Sequence, residues 1–407
     1  MHFQRSANPG ADNPIVIGVG ADEGPDERAA IRRAIGVAYA VLHEEPKLLL
    51  LFSTCSYTLP TLLGAARVLG GPVPLIGGTS CPGLLTGAGL SRAGHRPQGL
   101  ALMAIGGAGL SAGVGHAELG GEPRAAGEAA AETALAAAGA GVPPRAAIMV
   151  SPPGYEESIL SGVVSVIGNN VPLLGFSAAD PGLLGQWAVF ADDYILVNGV
   201  AVALLSGDFS AGGAFSGGYW PTAHVAQAGR VSGRMLGYLD GQPAADVYAR
   251  WLGVPVDALR GQAVRRHAVL SPLALEDQRT HRLIIKEPAT VLSTGEIGLL
   301  ADVREGDILR LLTATPESLV VAAGAAVSEA TMRAGLDAGH VKGVLLAQGA
   351  GRVLALHEHA SEAALQIRHL VGAAPLLGSA TLGEQSLLPD GRPVHLNLTT
   401  SVLVFGY

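Results

Sequence analysis

Small hydroxyl and thiol residues recur at one kind of place in this 407-residue chain: Gly78-Thr79-Ser80-Cys81, Phe176-Ser177-Ala178-Ala179 and Ser379-Ala380-Thr381-Leu382. Each group directly follows a copy of Pro-Leu-x-Gly, at Pro74–Gly77, Pro172–Gly175 and Pro375–Gly378. Such residues either bind a small ligand through O–H and N–H groups or supply a nucleophile. A serine nucleophile requires a base within hydrogen-bond reach. The lysines are Lys47, Lys286 and Lys342; the first and last stand at the N-terminal ends of expected strands, opposite the loops. No Gly-x-Ser-x-Gly elbow from strand to helix is read. Hydrolysis of a small lactam, amide or ester by a Ser or Cys of these loops stays open as the alternative to binding. The two cysteines, Cys55 and Cys81, both end strands. They are either two buried thiols or a pair brought together at the ligand site.

Two other patterns point to less. Gly18-Val19-Gly20 with Gly24 departs from the dinucleotide-binding spacing and reads as a turn. His357-Glu358-His359 lacks the helical His-Glu-x-x-His spacing of a metal site and reads as a solvated loop, so no metal is expected.

The loops are positioned by a repeat. A shift of 98 residues (74 to 172) carries the first Pro-Leu-x-Gly onto the second, Ser53 onto Ser151 and Gly18 onto His116. The third copy lies 203 residues further on (172 to 375), which leaves an inserted segment near 210–307, expected to be β-rich. Each unit reads as an amphipathic helix (26–45, 125–138, 316–338), an apolar strand (48–52, 146–150, 343–347), a second helix (59–69, 156–167, 362–371) and the Pro-Leu-x-Gly strand. Asp26 and Thr315, the latter ahead of Pro316, are suited to cap the first helices. All-apolar runs fit strands covered on both faces. Strands at 100–105, 194–205 and 395–405 close the units as antiparallel neighbours. The expected fold is therefore α/β, three related units with mostly parallel buried strands and antiparallel extensions, in two domains at 1–237 and 238–407. In such sheets a ligand sits outside the carboxyl ends of the strands, where these loops are.

Composition agrees with a packed core: 49% of residues are hydrophobic and 15% charged. Mean hydropathy is positive, yet no apolar stretch approaches the roughly 18 residues a spanning helix needs. The residues 1–6 carry no signal-peptide core, so a cytoplasmic location is expected. A net charge of −8 without a basic run argues against nucleic acid as a partner.

The order of these motifs resembles the FIST family, in both its N-terminal and C-terminal halves. The resemblance runs from Leu48–Tyr57 through Pro74–Ser80, Pro172–Asp180 and Gly218-Tyr219-Trp220-Pro221. It continues over Leu239–Ala244 with Tyr248 and Trp251-Leu252-Gly253, then Gly349-Ala350-Gly351-Arg352, Glu362, Pro375–Gly378, Gly383-Glu384 and His395–Thr399. It implies a sensory small-ligand-binding protein for an amino acid, carboxylate or amide-like metabolite. With no output module left on the chain, the signal would pass to a partner signalling protein. The family's Ala-Gly-Glu after the first loop is replaced by Cys81-Pro82-Gly83-Leu84, its Gly-Glu-Ile by Gly383-Glu384-Gln385, and its His-Asn pair is spread as His395-Leu396-Asn397. The ligand preference is expected to differ accordingly. The resemblance assigns Asp180, Arg352, Glu384 and His395 to the site beside Thr79, Ser80, Cys81, Ser177, Ser379 and Thr381. Arg352 would grip a carboxylate from an open crevice and the acids an amine. Some relatives suggest haem-based gas sensing. With 4% aromatic residues and no Cys-x-x-Cys-His motif, no cofactor is expected here.

Overall fold

The computed structural model describes residues 14–87, 89–90, 98–139, 141–356 and 359–407. Three units of one design follow each other. The first has strands Val16–Asp22, Leu48–Thr54, Leu75–Thr86 and Leu100–Gly106, with helices Glu27–Tyr39 and Leu59–Gly70. The second has strands Ser111–Glu118, Ala146–Ser151, Leu173–Ser177 and Gly199–Ser206, with helices Pro123–Ala138 and Glu156–Ile167. The third has strands Ser210–Ser216, Val341–Gly349, Leu376–Thr381 and Thr400–Gly406, with helices Pro316–Arg333 and Ala360–Val371. In every unit the sheet order is first, closing, second, third. The second and third strands run parallel, and the closing strand is antiparallel to both of its neighbours.

Local chemistry sets these elements. All seven residues of Leu48–Thr54 are buried, because one face meets the helices and the other the central core. The Asp26 carboxylate accepts from the Ala29 amide at 2.8 Å, and Thr315 forms a capping box with Ser318 ahead of Pro316. Gly18 and Gly20 lie within the first strand rather than in the turn expected of them. A Cβ on either would stand 1.9 Å from the Ala38 carbonyl oxygen or 2.0 Å from that of Ala34, so their absence lets the helix lie close on the strand. Two expected closing strands are each broken in two. The hairpin strand Tyr194–Leu196 is separate from Gly199–Ser206, and Pro393–Leu396 is separate from Thr400–Gly406 across Leu398, whose φ is 57°. Residues 210–216 are the first strand of the third unit, not part of the insert.

The units are interlocked as a ring. The extension of Leu75–Thr86 pairs with Leu376–Thr381 of the third unit, setting Cys81 opposite Ala380 and Leu85 opposite Gly378. Val189–Ala191 leaves the second unit and pairs with the first, Phe190 opposite Gly77. Glu384–Leu387 leaves the third and pairs with the second, Gln385 opposite Gly175. The glycine of each Pro-Leu-x-Gly lies at such a crossing. One core, holding Leu50, Phe52, Ile148, Phe176, Leu345 and Phe405, is shared by all three units, while the helices cover the outer faces.

The insert between the first strand and first helix of the third unit holds an eight-stranded antiparallel sheet with its own core around Leu236, Tyr248, Leu273 and Leu309. It lies over the strand exits of units two and three, as the contacts of Arg234, Glu287 and Leu300 below show. Among the described residues no helix is long and apolar enough to cross a membrane.

The crossings predict where alanine is tolerated. A Cβ at Gly77 would meet the Leu51 carbonyl oxygen at 1.8 Å, whereas one at Gly36, exposed within a helix, meets nothing within 4 Å. Gly77→Ala is expected to cost about 3 kcal/mol or more, and Gly36→Ala to add about 0.5–1 kcal/mol. Denaturant unfolding of the two variants checks this; equal effects would refute the close approach of the strand Leu48–Thr54 at Gly77.

Candidate functional site

The strand exits of the three units do converge, and their polar atoms are largely spent on one another. The Ala179 amide donates to the Thr79 carbonyl oxygen at 2.9 Å, and Thr79 Oγ1 accepts from the Ala188 amide at 3.0 Å. Ser80 Oγ accepts from the Ala380 amide at 3.0 Å and lies 2.8 Å from the Cys81 carbonyl oxygen. The Leu382 amide donates to the Ser177 carbonyl oxygen at 3.2 Å, and Thr381 Oγ1 donates to that of Gly383 at 2.8 Å. Ser379 is buried beside them. Asp180 is committed too: its carboxylate accepts from the amides of Gly182, Leu184 and Gln186 and so shapes the loop after it. Cys81 Sγ donates to the Asp180 carbonyl oxygen at 3.3 Å, and burial pushes its thiol up to about 12. Cys55, half-buried, is also raised by burial. Neither thiol is activated as a nucleophile.

Grooves open at the other end of the sheets. One of about 380 Å³ is lined by Asn170, Pro172, Gly213, Arg333 and Gly391, and one of about 330 Å³ by Lys47, Pro72, Pro74, Ser111 and Ala138. They occupy equivalent seams, between units two and three and between units one and two. Repetition of the same hollow at both seams marks it as a product of the architecture, so the strand exits remain the better candidate.

Beneath the insert, two charged clusters lie at those exits. In the first, Ser177 Oγ donates to Glu156 Oε1 at 2.8 Å and accepts from Gln385 Nε2 at 3.0 Å. His395 Nε2 lies 3.1 Å from the Leu300 carbonyl oxygen, which can only accept, so Nε2 carries the proton and Nδ1 accepts from Gln385 Nε2 at 3.0 Å. With both ring nitrogens engaged, His395 is neither a base for Ser177 nor an open axial ligand. Arg234 of the insert reaches Glu156 Oε2 at 2.7 Å, Glu157 Oε2 at 2.6 Å and Asp302 Oδ1 at 2.9 Å. Burial alone would raise Glu157, but the Arg234 guanidinium, the Lys286 ammonium and the Asp302 amide hold it below the usual carboxylate range. Lys286 is itself buried, which lowers its pKa. The ligand atoms of Glu156, Glu157 and His395 lie within 4.8 Å of one another. Arg234 already supplies the positive charge that a metal would bring there.

The second cluster surrounds the junction of the strand Val341–Gly349 with the short helix Ala350–Leu356. Glu384 Oε2 accepts from the Thr399 amide at 3.0 Å and from Thr399 Oγ1 at 2.6 Å, while Oε1 has no partner. Burial raises Glu384 to about 8 and Glu287 to about 7. Glu287 Oε1 also lacks a hydrogen bond; Arg265 Nε stands 3.8 Å away. Arg352 departs from its expected role. It is fully buried, donating to the carbonyl oxygens of Gly217 and Leu319, with only Nε unpartnered. It clamps the start of the Pro316–Arg333 helix instead of reaching from an open crevice. Its removal is therefore expected to lower stability.

Sequence reading missed Glu156, Arg234, Glu287 and Gln385. Glu287 left a trace, since Lys286-Glu287 ends the apolar run Leu283-Ile284-Ile285 with two charges. Nothing local pairs Arg234 with Glu156, 78 residues away. A Gly-x-Ser-x-Gly run does occur, Gly109–Gly113, but it leads into the strand Ser111–Glu118 and makes no strand-to-helix elbow. Of His357-Glu358-His359, the first two lie outside the described residues; His359 Nδ1 lies 3.1 Å from Glu362 Oε2.

A model of the FIST N domain matches residues 47–242, and one of the FIST C domain residues 244–386. Among solved structures, cyanuric acid hydrolase from A. caulinodans is similar at 11% identity and a TM-score of 0.40, over 96% of this chain and 99% of that one. A further cyanuric acid hydrolase matches at 11% identity and 0.35, over 97% and 99%. Phosphoribosylformylglycinamidine synthase II from Thermotoga maritima matches at 12% identity and 0.25, over 97% and 74%. Likeness at these TM-scores carries no conclusion. No curated protein matches the chain.

Two predictions follow from the charges. Arg234→Ala leaves Glu156 buried without its cation and is expected to cost about 3–5 kcal/mol in denaturant unfolding; a loss below about 1 kcal/mol would remove Arg234 as the tie between insert and core. Glu384 keeps its proton in the folded chain after the unfolded chain has released it. That contribution is full below the unfolded value near 4.5 and is lost as pH rises through about 8. The stability of the wild type minus that of Glu384→Gln should thus fall by up to about 1.4 kcal/mol per pH unit across that window. A flat difference from pH 5 to 8 would show an ordinary carboxylate.

Proposed function

The chain belongs to the FIST family, with the N and C domains in one polypeptide, and on that premise we propose that it is a cytoplasmic sensory protein that binds a small metabolite at the exit of its third unit. The observation that carries the reading is the second buried cluster. Two buried carboxylates each keep one oxygen without a hydrogen bond, Glu384 Oε1 beside Gly349 and Glu287 Oε1 beside Gly351. Leaving such groups buried and unmatched costs about 1–3 kcal/mol each, a cost that a packed interior normally avoids and that a bound polar molecule offsets. The metabolite belongs to the class of amino acids, small carboxylates or amides, which combine donors and acceptors in little volume. It binds between the third unit and the insert, so its arrival alters how firmly the insert is held. A separate signalling protein reads that change. Ser177 and His395 hold their neighbours in place and carry no turnover.

Thermal-shift screening against amino acids, carboxylates and amides tests this. A ligand at a hundred times its dissociation constant stabilises by about 2.7 kcal/mol, a shift of a few degrees. If no compound moves the melting temperature while a lactam, amide or ester is turned over, the chain is a hydrolase.

A further inference from the structure

Independently of that site, we infer that the groove at the seam of units two and three binds a neutral polyol of about the size of a monosaccharide. A hollow recurs at the seam of units one and two, but the two are not furnished alike. Gly18, Gly113 and Gly212 hold one place in the first strands of the three units: a Cβ on each would stand 1.9, 2.2 and 2.2 Å from the helix carbonyl oxygens of Ala38, Ala134 and Ala330. The residues that follow them are therefore equivalent too, and they are Val19, Val114 and Gly213. Packing does not demand the third glycine. A Cβ at Gly213 would meet nothing closer than the Leu173 carbonyl oxygen at 3.7 Å and Pro172 Cβ at 3.8 Å, which are ordinary contacts. Nor does a bulge demand it, since the register of its strand with Thr400–Gly406 is unbroken. A glycine inside a strand weakens it, and what remains to explain this one is the approach of a ligand. Pro172, Leu173 and Gly213 line the groove together, so the missing valine side chain widens it.

The groove holds about 380 Å³, the share of about a dozen water molecules and so enough for a hexose. Ser386 lines it and is 1% exposed, and its hydroxyl makes no hydrogen bond among the described residues. The side-chain amides of Asn169 and Asn170, also at the groove, make none either. A buried hydroxyl without a partner is destabilising, and a ligand hydroxyl relieves it. The counterpart hollow has no Asn and no Arg among its described lining residues. Charges at the rim are already matched. Arg333 donates to the Gly213 carbonyl oxygen at 3.1 Å and to Glu329 Oε1 at 2.7 Å, and Arg392 Nε donates to Asp390 Oδ2 at 2.7 Å. An anion would meet Asp390 and a cation Arg333, so neither sign is favoured. Hydroxyl and amide groups that both donate and accept suit a ligand whose groups do the same. Pro172, Pro389 and Leu388 offer apolar surface to the C–H face of a sugar or inositol ring. No aromatic ring lies among the described lining residues, so a flat heterocycle has nothing to stack on.

The polar groups come from both sides of the seam. Asn169 and Asn170 follow the second helix of unit two, whereas Gly213, Arg333 and Ser386 belong to unit three. A Cβ at Gly391 would lie 3.0 Å from the Asn169 carbonyl oxygen, so the turn of the third unit's hairpin rests directly on that loop of unit two. The polyol therefore adds hydrogen bonds between two units whose walls are already in contact.

Saturation-transfer NMR and calorimetry of the full chain with glycerol, glucose, ribose and myo-inositol test this, with acetate, ethylammonium and uracil as charged and planar alternatives. Melting temperature does not serve, because polyols raise it by exclusion from any protein surface. At least one polyol is expected to saturate, with a dissociation constant on the order of 1 mM. Gly213→Val gives unit three the residue of the other two units. It should weaken that binding at least about tenfold and leave the ligand-free urea midpoint unchanged or higher. Ser386→Ala and Asn170→Ala should each weaken binding about 2- to 10-fold, and they read the site without relying on the valine variant to fold. Polyol binding that all three variants leave unchanged overturns the site. Acetate, ethylammonium or uracil binding that Gly213→Val abolishes, without polyol binding, places the site correctly and overturns the ligand class. Failure of every probe to saturate overturns the proposal, and none of these results bears on the sensory site beneath the insert.

Discussion

Each unit of this protein completes its neighbour's sheet, and that exchange is the constraint on which the rest depends. Because the chain leaving one third strand pairs with the third strand of another unit, no unit presents a finished sheet alone. The crossings leave little room for side chains. At Gly175 an added Cβ would stand 2.4 Å from Gln385 Oε1, and at Gly378 3.0 Å from Leu85 Cβ. A shared central core then follows, since the faces turned inward by the three sheets can be buried only against each other.

The same exchange disposes of the hydroxyls at the strand exits. Backbone that changes direction between sheets has amides and carbonyls to satisfy, and Thr79, Ser80 and Thr381 satisfy them across unit boundaries, Thr381 by donating to the Ser177 carbonyl oxygen. Conserving hydrogen bonds in this way makes the centre of the ring a joint. The proposed site lies further out, where the insert covers units two and three.

The insert meets that surface with charge rather than with apolar side chains alone. At one contact the carboxylates share a cation: Arg234 bridges Glu156, Glu157 and Asp302 within 3 Å. At the other they are unmatched, and burial holds Glu287 and Glu384 near neutrality instead. A matched cluster ties two bodies together, whereas an unmatched one a few residues away gives a ligand something to add. FIST domains are sensory ligand-binding modules, and the site proposed for this chain lies at the second cluster, not at the tie.

Periodicity and local chemistry were enough to read the units. Alternating apolar strands and amphipathic helices, the shift of 98 residues (74 to 172), Asp26 and Thr315 at helix starts, and the place of the insert are all properties of neighbouring residues, and the α/β architecture of three related units follows from them. Glycine runs were less legible. Gly18-Val19-Gly20 reads as a turn locally, and only the helix pressing at Ala34 and Ala38 makes it a strand. Tertiary structure alone decided the site. Arg352 reads as a cation in an open crevice until Gly217 and Leu319 are folded against it, His395 as a ligand contact until Leu300 and Gln385 take both nitrogens, and Glu287 gains its burial only where the insert meets Gly351 and Asn397 of the third unit. Hydrogen-bond partners and burial depend on residues a hundred positions away, and no local pattern encodes which of them arrive.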